Sequence, residues 1–204
     1  MEDWVHRALA RWPNVPALFG WLGLDRRGRW LIRGEPISRP QIIETINRNY
    51  AEDAHGRWYF QNGPQRGYVQ LERAPLLLYA PAQGDMLTAH TGAVVHAVSA
   101  AWLDEEGGLL LQTDLGPGAL ADADLGWALQ RLETERGAVD EEQLGAALAL
   151  PSGAETALHL RLGSAVLPLR RLDQAEAPAR LGFVRDPQPL PDERGQSPLP
   201  LGEG

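Results

Sequence analysis

The feature that most constrains the fold is a short pattern that occurs twice at similar places in the chain. Residues 103–111 align with residues 24–32 without a gap, and both stretches begin with Leu-Asp-x-x-Gly. Each stretch is apolar on both sides of a polar turn, which predicts a β-hairpin. A helix and a second hairpin follow in each case. The order hairpin, helix, hairpin recurs either through an ancient duplication or through the chance repetition of a common order. The residue-by-residue match favours duplication.

The first half covers residues 1–80. Its predicted elements are a helix over 2–12, a hairpin over 21–33 with a turn at 25–28, a helix from 38, a hairpin over 57–71 and a strand over 76–79. Ser38 is expected to cap the second helix, with Gln41 completing a capping box. The strand segments alternate apolar and polar residues, and the helices show an apolar face at helical spacing.

The second half covers residues 81–184, and a tail covers residues 185–204. The predicted elements of this half are the hairpin over 103–111, a helix over 122–133, an acidic-capped helix over 140–150 and a hairpin over 157–169 that turns at Gly163 and Ser164. The helix over 140–150 has no counterpart in the first half. The tail contains five prolines and no aromatic residue after Arg185, which predicts disorder. The whole pattern predicts an α+β fold with mainly antiparallel strands.

Composition limits the class of protein. The chain has 204 residues, no cysteine and a net charge of −8, with +3 in residues 1–80 and −11 in residues 81–204. An acidic protein is a poor general binder of nucleic acid, because phosphate neutralisation supplies most of that affinity. No apolar run approaches the length that spans a membrane. We therefore expect a cytoplasmic protein without membrane or nucleic-acid partners.

Catalytic and metal-binding motifs give no positive signal. The histidines are not spaced as metal ligands, and no acidic residue is grouped with them, so no metal or cofactor is expected. The acidic runs 104–106 and 140–142 lie at a predicted turn and at a helix start, where a structural role suffices. The serines lie outside Gly-x-Ser-x-Gly, and the glycine-rich stretches are not phosphate-binding loops. The sequence therefore assigns no catalytic residue.

The tip of the second hairpin is the candidate binding site. A tight turn needs the positive φ of a glycine and the fixed φ of a proline, which residues 61–66 supply. It does not need flanking glutamines and an arginine, whose amide and guanidinium groups can recognise a partner. The predicted site residues are Gln61, Asn62, Gly63, Gln65, Arg66 and Trp58. Trp58, Tyr59, Phe60 and Tyr68 are expected to form an aromatic wall beside them. The alternative is that the aromatic residues are half-buried strand residues and the tip is only a turn.

Two groups of residues carry a resemblance to known proteins. They are Gly28-Arg29-Trp30 with Gly34-Glu35-Pro36-Ile37 and Arg39-Pro40, and the run Trp58-Tyr59-Phe60-Gln61-Asn62-Gly63-Pro64-Gln65. Over residues 15–80 the chain resembles uncharacterised proteobacterial proteins of unknown function. The first group also resembles a related bacterial domain family with repeated structural motifs, for which ligand binding or signalling has been suggested. The resemblance implies family membership and transfers no catalytic residue.

These observations lead to three hypotheses about function. The first is a non-enzymatic regulatory module that binds a small ligand or a protein partner near the first-half hairpin. The second is an enzyme whose site, such as His55 or His96 with an acid, assembles only in the fold. A deep pocket with a histidine–carboxylate pair would favour the enzyme, and a shallow amide-lined groove would favour binding. The third is a structural subunit of a larger assembly, which an exposed apolar patch would indicate.

Overall fold

The protein is described by a computed structural model over residues 16–191. The described chain divides into two compact units, residues 16–72 with 183–191 and residues 73–182. Each unit is built on one sheet of mainly antiparallel strands, with few helices. This confirms the predicted α+β class. The helix expected over residues 2–12 lies outside the described residues. No helix within residues 16–191 is long and apolar enough to cross a membrane.

The first unit contains a six-stranded sheet and one helix. Its elements are β1 (Ala17–Leu24), β2 (Trp30–Ile32), β3 (Glu35–Pro36), α1 (Pro40–Arg48), β4 (Tyr50–Glu52), β5 (Trp58–Asn62) and β6 (Gln65–Leu71). The strand order is β3-β2-β1-β6-β5-β4, and the central pair β1 and β6 is parallel. Alternate residues of the strands bury one face of the sheet with Ile46 of α1. Nε1 of Trp30 donates to Oδ1 of Asn47 at 2.7 Å, which ties this face to α1.

The second unit contains a nine-stranded sheet. Its elements are β7 (Leu76–Tyr79), β8 (Thr88–Ala89), β9 (Val98–Leu103), β10 (Leu109–Thr113), β11 (Gly116–Leu120), a 3-10 helix (Asp122–Asp124), α2 (Leu125–Leu129), β12 (Leu132–Thr134), β13 (Gly137–Ala138), α3 (Glu141–Leu148), β14 (Glu155–Leu162), β15 (Ala165–Arg171) and α4 (Ala177–Leu181). The strand order is β13-β12-β14-β15-β9-β10-β11-β7-β8. The helix predicted over 122–133 is shorter than expected, because Leu132 already belongs to β12.

The two sheets share a pattern of strand pairing. In the first, β1 to β3 form an antiparallel meander whose first strand runs parallel to the last strand of the second hairpin, β6. In the second, β9 to β11 form the same meander, and β9 runs parallel to β15. β5 and β14 then pair with β6 and β15, and β4 and β12 lie outside them. The sheets therefore have topologically equivalent strands.

The strand predicted over residues 76–79 is present, but it belongs to the second sheet rather than the first. It was expected to close the first half, but Leu76 to Leu78 pair in parallel with Gly118 to Leu120 of β11 in the second sheet. The connection between the units accordingly lies at residues 72 and 73 rather than at residue 80. Pairing partners more than 40 residues apart in sequence are not visible in local periodicity, which is why the strand was predicted but its sheet was not.

The predicted capping box at Ser38 is wrong. Helix α1 begins at Pro40 with Arg39 as its N-cap residue, and no side chain caps it. Proline at the first helical position forces the preceding residue into an extended conformation, and Arg39 has ψ of 116°. The capping residue is therefore Arg39, one position later than predicted. By contrast, the acidic cap of α3 is present, since Asp140 and Gln143 form a reciprocal capping box.

The tail predicted from residue 185 begins as an ordered segment of the first unit. The Arg185 carbonyl accepts the Leu71 N–H at 2.8 Å, and Gln70 Nε2 donates to Asp186 Oδ1 at 2.8 Å. Arg57 donates to the Gln188 carbonyl, and Pro187 is buried. Low apolar content does not reveal these backbone contacts, so disorder was predicted too early. Residues 192–204 lie outside the described residues.

Candidate functional site

Three turns of the fold share one geometry built on an aspartate. Oδ1 of Asp25, Asp53 and Asp104 accepts the backbone N–H groups two and four residues later. The third residue after each aspartate is a glycine with φ between 73° and 83°. The predicted Leu-Asp-x-x-Gly match thus corresponds to a real shared turn. The copy at Asp53 was not predicted, although the run Gly-Arg-Trp begins three residues after the aspartate at both Asp25 and Asp53.

The second carboxylate oxygen of each aspartate binds an arginine. In the first unit the arginine belongs to the turn itself, Arg29 for Asp25 and Arg57 for Asp53. In the second unit the equivalent position is Gly108, and Arg73 binds Asp104 at 2.9 Å from elsewhere in the sequence. A Cβ atom on Gly108 would overlap with Nη2 of Arg73. The glycine therefore makes room for an arginine that replaces the local one.

The Asp53 turn forms a closed polar cluster. Nη2 of Arg57 lies 2.7 Å from Asp53 Oδ2 and donates to the Tyr68 hydroxyl at 2.9 Å, which itself donates to Asp53. Burial raises the pKa of Asp53, but the hydrogen bonds from Arg57 and His55 lower it by more than burial raises it. The pKa of Asp53 is therefore below its ordinary value. Arg57 and Tyr68 are buried and mutually satisfied. The cluster holds the sheet together and leaves little for a ligand to bind.

The face of the first sheet opposite the α1 core carries aromatic and cationic side chains. We call it the second face, and its residues are Phe19, Trp21, Gly23, Leu31, Tyr59, Arg66, Tyr68 and Gln70. Phe19 stacks on Tyr68 at 4.6 Å, and Tyr59 meets Tyr68 edge to face at 5.8 Å. The Arg66 guanidinium lies 4.4 Å from the Tyr59 ring. Hydrogen bonding with Tyr68 raises the pKa of Arg66 above its ordinary value.

The predicted hairpin tip is a tight two-residue turn. Asn62 pairs with Gln65 across Gly63, whose φ is 57°. Nε2 of Gln61 donates to the carbonyls of Gly63 and Gln65, at 2.7 and 3.1 Å. The first glutamine therefore closes the turn, a role that its amide was not expected to have. Arg66 reaches Gln61 Oε1 at 3.4 Å and remains exposed.

The predicted aromatic wall is divided between the two faces of the sheet. Trp58 and Phe60 alternate with Tyr59 along β5, and both are buried in the core with 5% exposure. Trp58 packs against Tyr50 at 4.9 Å. It does not lie with Gln61 and Arg66, whereas Tyr59 and Tyr68 do share their face. Burial first, and then Glu52, raise the pKa of Tyr50 well above its ordinary value.

A groove of about 460 Å³ opens on the second face beside β1. We call it the Gly23 groove, and its principal lining residues are Trp21, Gly23, Leu31, Arg33, Gln70 and Asp186. A Cβ atom on Gly23 would lie 3.6 Å from the Gln70 carbonyl oxygen and 3.6 Å from Leu31 Cβ. These are ordinary contacts, so the fold does not require glycine here. The glycine leaves strand backbone exposed as the floor of the groove.

Arg33 stands at the edge of the groove in an unusual conformation. It forms a two-residue turn with Gly34 and has φ of 51°, the only positive φ of a residue other than glycine within residues 16–191. Arginine is disfavoured there, because turns of this kind favour Asn-Gly. Its guanidinium lies 5.2 Å from the Trp21 ring and makes no ion pair with another residue of the described chain. Unusual backbone at an exposed cation is a recognised sign of a functional position.

The equivalent position in the second unit holds a tryptophan. Gly23 pairs with Leu31 and Gln70, and Trp102 pairs with Leu110 and Arg170 in the same pattern. Trp102 is 8% exposed, so in the second unit a buried indole stands at the position where the first unit has no side chain. A cavity of about 660 Å³ in this unit lies between Trp102, Arg170 and the α4 segment. Extending the gapless match between residues 24–32 and 103–111 by one residue towards the N-terminus aligns Gly23 with Trp102, so this difference was already visible in the sequence.

The histidines named as possible catalytic residues do not form a histidine–carboxylate hydrogen bond. His55 and His96 donate their backbone N–H groups to aspartates, and the His159 side chain has no hydrogen bond within residues 16–191. His90 accepts the Leu77 N–H at its Nδ1, and burial lowers its pKa to about 4. No group of three or more potential metal ligands occurs among the described residues.

The comparisons with known proteins identify a family and a fold. A sequence model of the family DUF2944, described as "Protein of unknown function (DUF2946)", matches residues 1–188. The crystal structure of a DUF1285 family protein from Silicibacter pomeroyi DSS-3 has a TM-score of 0.51 at 14% identity, covering 78% of this chain and 83% of that chain. A DUF1285 family protein from Shewanella baltica OS155 gives 0.40 at 19% identity, covering 54% and 88%. The first of these shares the fold. No curated protein matches the sequence.

Proposed function

Because the chain belongs to the DUF2944 family, whose description states no activity, we propose a function from the site itself. The protein is a non-enzymatic binding module whose first unit holds a small ligand in the Gly23 groove. The observation that carries this proposal is the glycine at a position where a side chain would be accommodated and where the second unit has Trp102. A strand glycine without a steric reason is typical of close approach by a ligand or another backbone.

The lining of the groove defines the chemistry of the ligand. Arg33 supplies an exposed cation, and its planar guanidinium can bind a carboxylate with two hydrogen bonds. The exposed backbone at Gly23, between Trp21 and Gln70, accommodates a flat group. The Gln70 amide is already oriented by Asp186 at 2.8 Å. The carboxylates in the lining, those of Asp25, Glu72 and Asp186, already accept hydrogen bonds from the protein. Arg33 has no ion pair within residues 16–191, and these features together support a planar, carboxylate-bearing molecule such as an aromatic carboxylate.

The hairpin tip is a second contact in this proposal. Asn62 and Gln65 are half-buried, and Gly63 and Arg66 are exposed at the other end of the second face. A protein partner bound to the module would reach these groups. If Asn62→Ala with Gln65→Ala leaves the affinity for a verified partner unchanged, the tip is a turn without a binding role.

We also propose that the two units arose by duplication and that the protein acts in the cytoplasm. The shared strand pairing and the aspartate turns support the duplication. An alignment of many relatives tests it, since the two halves should become more similar in reconstructed ancestors. A composition without cysteine agrees with a reducing compartment, and cell fractionation tests the location.

A thermal-shift screen of the full chain against aromatic carboxylates tests the binding function. A ligand at a hundred times its dissociation constant stabilises by about 2.7 kcal/mol, which raises Tm by about 5 to 10 °C for a chain of this size. The matched variant is Gly23→Phe, whose ring fills the groove. We expect carboxylates that stabilise the natural chain and not the variant. If no carboxylate stabilises the chain, or if both proteins respond equally, the small-ligand proposal fails, and affinity capture of a protein partner follows.

A further inference from the structure

The connection between β12 and β14 is an insertion relative to the first unit. The equivalent strands β4 and β5 are joined by the short Asp53 turn, from Glu52 to Trp58. In the second unit residues 135–154 intervene and include β13 and helix α3. Long connections within compact units are commonly functional. The insertion is therefore a place to look for a site that the first unit lacks.

The insertion forms an open cleft of about 630 Å³ against β14. This is within the range of small-molecule sites. The apolar wall comes from Ala146, Ala147 and Leu150 of the α3 region and from Ala157 and Leu158 of β14. The alanines explain the space, because their short side chains leave a gap between the helix and the strand. The pairing of β12 with β14 ends at Glu133 and His159. The part of β14 that precedes His159, from Thr156 to Leu158, therefore lines the cavity instead of pairing with β12.

The walls of this cavity are held firmly. The capping box of Asp140 and Gln143 fixes the start of α3, with hydrogen bonds of 2.8 and 3.1 Å. After the helix, the Leu150 carbonyl accepts a hydrogen bond from Nε of the buried Arg171 at 3.2 Å. The start of the helix is therefore fixed locally, and the segment after it is anchored to β15. A site on such a support is largely formed before a ligand arrives.

Two adjacent, opposite charges stand at the rim of the cavity. Glu135 and Arg136 are exposed, and neither side chain has an ion pair or hydrogen bond within residues 16–191. His159 is half-buried in the wall and its imidazole is likewise unengaged in the described chain. A cation, an anion and an imidazole beside an apolar wall complement a zwitterion with an apolar side chain.

We propose that this cavity binds an α-amino acid with an aliphatic side chain. The ligand carboxylate pairs with Arg136 and accepts a hydrogen bond from His159. The ligand ammonium pairs with Glu135. The aliphatic side chain lies against Ala146, Ala147 and Leu150, where its burial contributes most of the affinity.

Calorimetric titration of the full chain with L-leucine tests the proposal. The matched probes are 4-methylpentanoate, which lacks the ammonium group, and isoamylamine, which lacks the carboxylate. We expect saturable binding of leucine and about tenfold weaker binding of each probe, since one charge-assisted interaction is lost in each case. If leucine does not saturate a site, or if either probe binds as tightly, the proposal is overturned.

Variants at exposed positions separate the two charges. Glu135→Gln should weaken leucine about tenfold and leave 4-methylpentanoate unchanged, whereas Arg136→Gln should weaken both by about tenfold. Ala146→Phe should abolish binding by filling the cavity. Glu141→Gln, on the same helix and outside the cavity, is the charge control and should change nothing. Unchanged leucine affinity in either variant, or equal affinity of the two variants for 4-methylpentanoate, would contradict the assignment. The groove variant Gly23→Phe should still bind leucine, which separates this inference from the proposed function.

Discussion

At equivalent points of their parallel strand pairs, the first unit has Gly23 and the second unit has Trp102. Each residue pairs with the neighbouring strands in the same way, and each lies two positions before the aspartate of its unit's turn. The glycine leaves strand backbone open on one face, and the tryptophan covers it with a buried indole. A shared framework can thus carry an open groove in one unit and a filled one in the other. Framework and site are separable in this protein.

The aspartate turns show the same contrast in their energetics. Asp25 pairs with Arg29, whose side chain is 53% exposed, at 2.7 Å. Asp104 is fully buried and pairs with the buried Arg73, which also binds Asp122. The first unit therefore stabilises its turn locally, and the second unit stabilises it through a residue remote in sequence.

The largest expected effect is the loss of the buried carboxylate. Asp104→Ala should lower the free energy of unfolding by about 3 to 5 kcal/mol, because the buried Arg73 loses its fully buried counter-charge and keeps only the half-exposed Asp122. Asp25→Ala should cost only about 1 to 2 kcal/mol, since it removes two backbone hydrogen bonds and an ion pair whose arginine is half exposed and can be solvated. Denaturant unfolding of both variants measures the difference. Equal losses would mean that the two turns are energetically alike.

A smaller effect should appear in the pH dependence of the second unit. The pKa of His90 is about 4 in the folded protein, against 6.5 as its ordinary value. Above pH 6.5 the imidazole is neutral in both states, so His90 contributes no pH dependence. As the pH falls from 6.5 to about 4, only the unfolded chain takes up the proton, and the folded state loses stability by up to about 3 kcal/mol.

Comparison with a His90→Asn variant isolates this contribution. Asparagine keeps an acceptor for the Leu77 N–H and does not titrate. The difference in unfolding free energy between the two proteins should change between neutral pH and pH 4. If the two curves run parallel over this range, His90 is not a buried neutral histidine.

Filling the Gly23 groove should stabilise the fold. Gly23→Val replaces a strand glycine by a good strand former whose Cβ makes ordinary contacts, and it should add about 1 kcal/mol, or about 2 to 4 °C in Tm. Gly118→Ala is the control, because its Cβ would lie 2.8 Å from Leu78 side-chain atoms and should destabilise. A gain in stability with a loss of ligand binding would identify Gly23 as a residue kept for function. Loss of stability in Gly23→Val would mean that the glycine is structural.

The smallest expected effect concerns Arg33. Arg33→Asn should stabilise by about 0.5 kcal/mol, because asparagine tolerates positive φ better than arginine and the lost contact with Trp21 offsets part of the gain. Thermal unfolding measures the change, with Arg27→Asn as an exposed control in the neighbouring turn. A clear loss of stability would show that the arginine holds the turn in place.

Much of the framework could be predicted from the sequence, because turns leave local signals. Gly63 and Gly163 mark two-residue hairpin turns, and Asp25 and Asp104 mark the aspartate turns. The site was harder to predict, because it depends on which strands become neighbours. The groove at Gly23 exists only because β1 pairs with β6, which places Gly23 beside Gln70. Trp58 was wrongly predicted to lie near the tip, because the sequence does not show which face of β5 is buried. Strand alternation separates Trp58 from Tyr59, and knowledge of the core face is needed to apply it.

The central claim, an open binding groove at Gly23, is tested most directly by amide chemical shifts. The nitrogen-15-labelled full chain is titrated with 4-(trifluoromethyl)benzoate, as the natural protein and as Gly23→Phe. We predict saturable shifts at the amides of Gly23, Gly34 and Gln70 in the natural protein, and none at Gly34 and Gln70 in the variant. Unperturbed groove amides in the natural protein, or identical shifts in both proteins, would contradict the account.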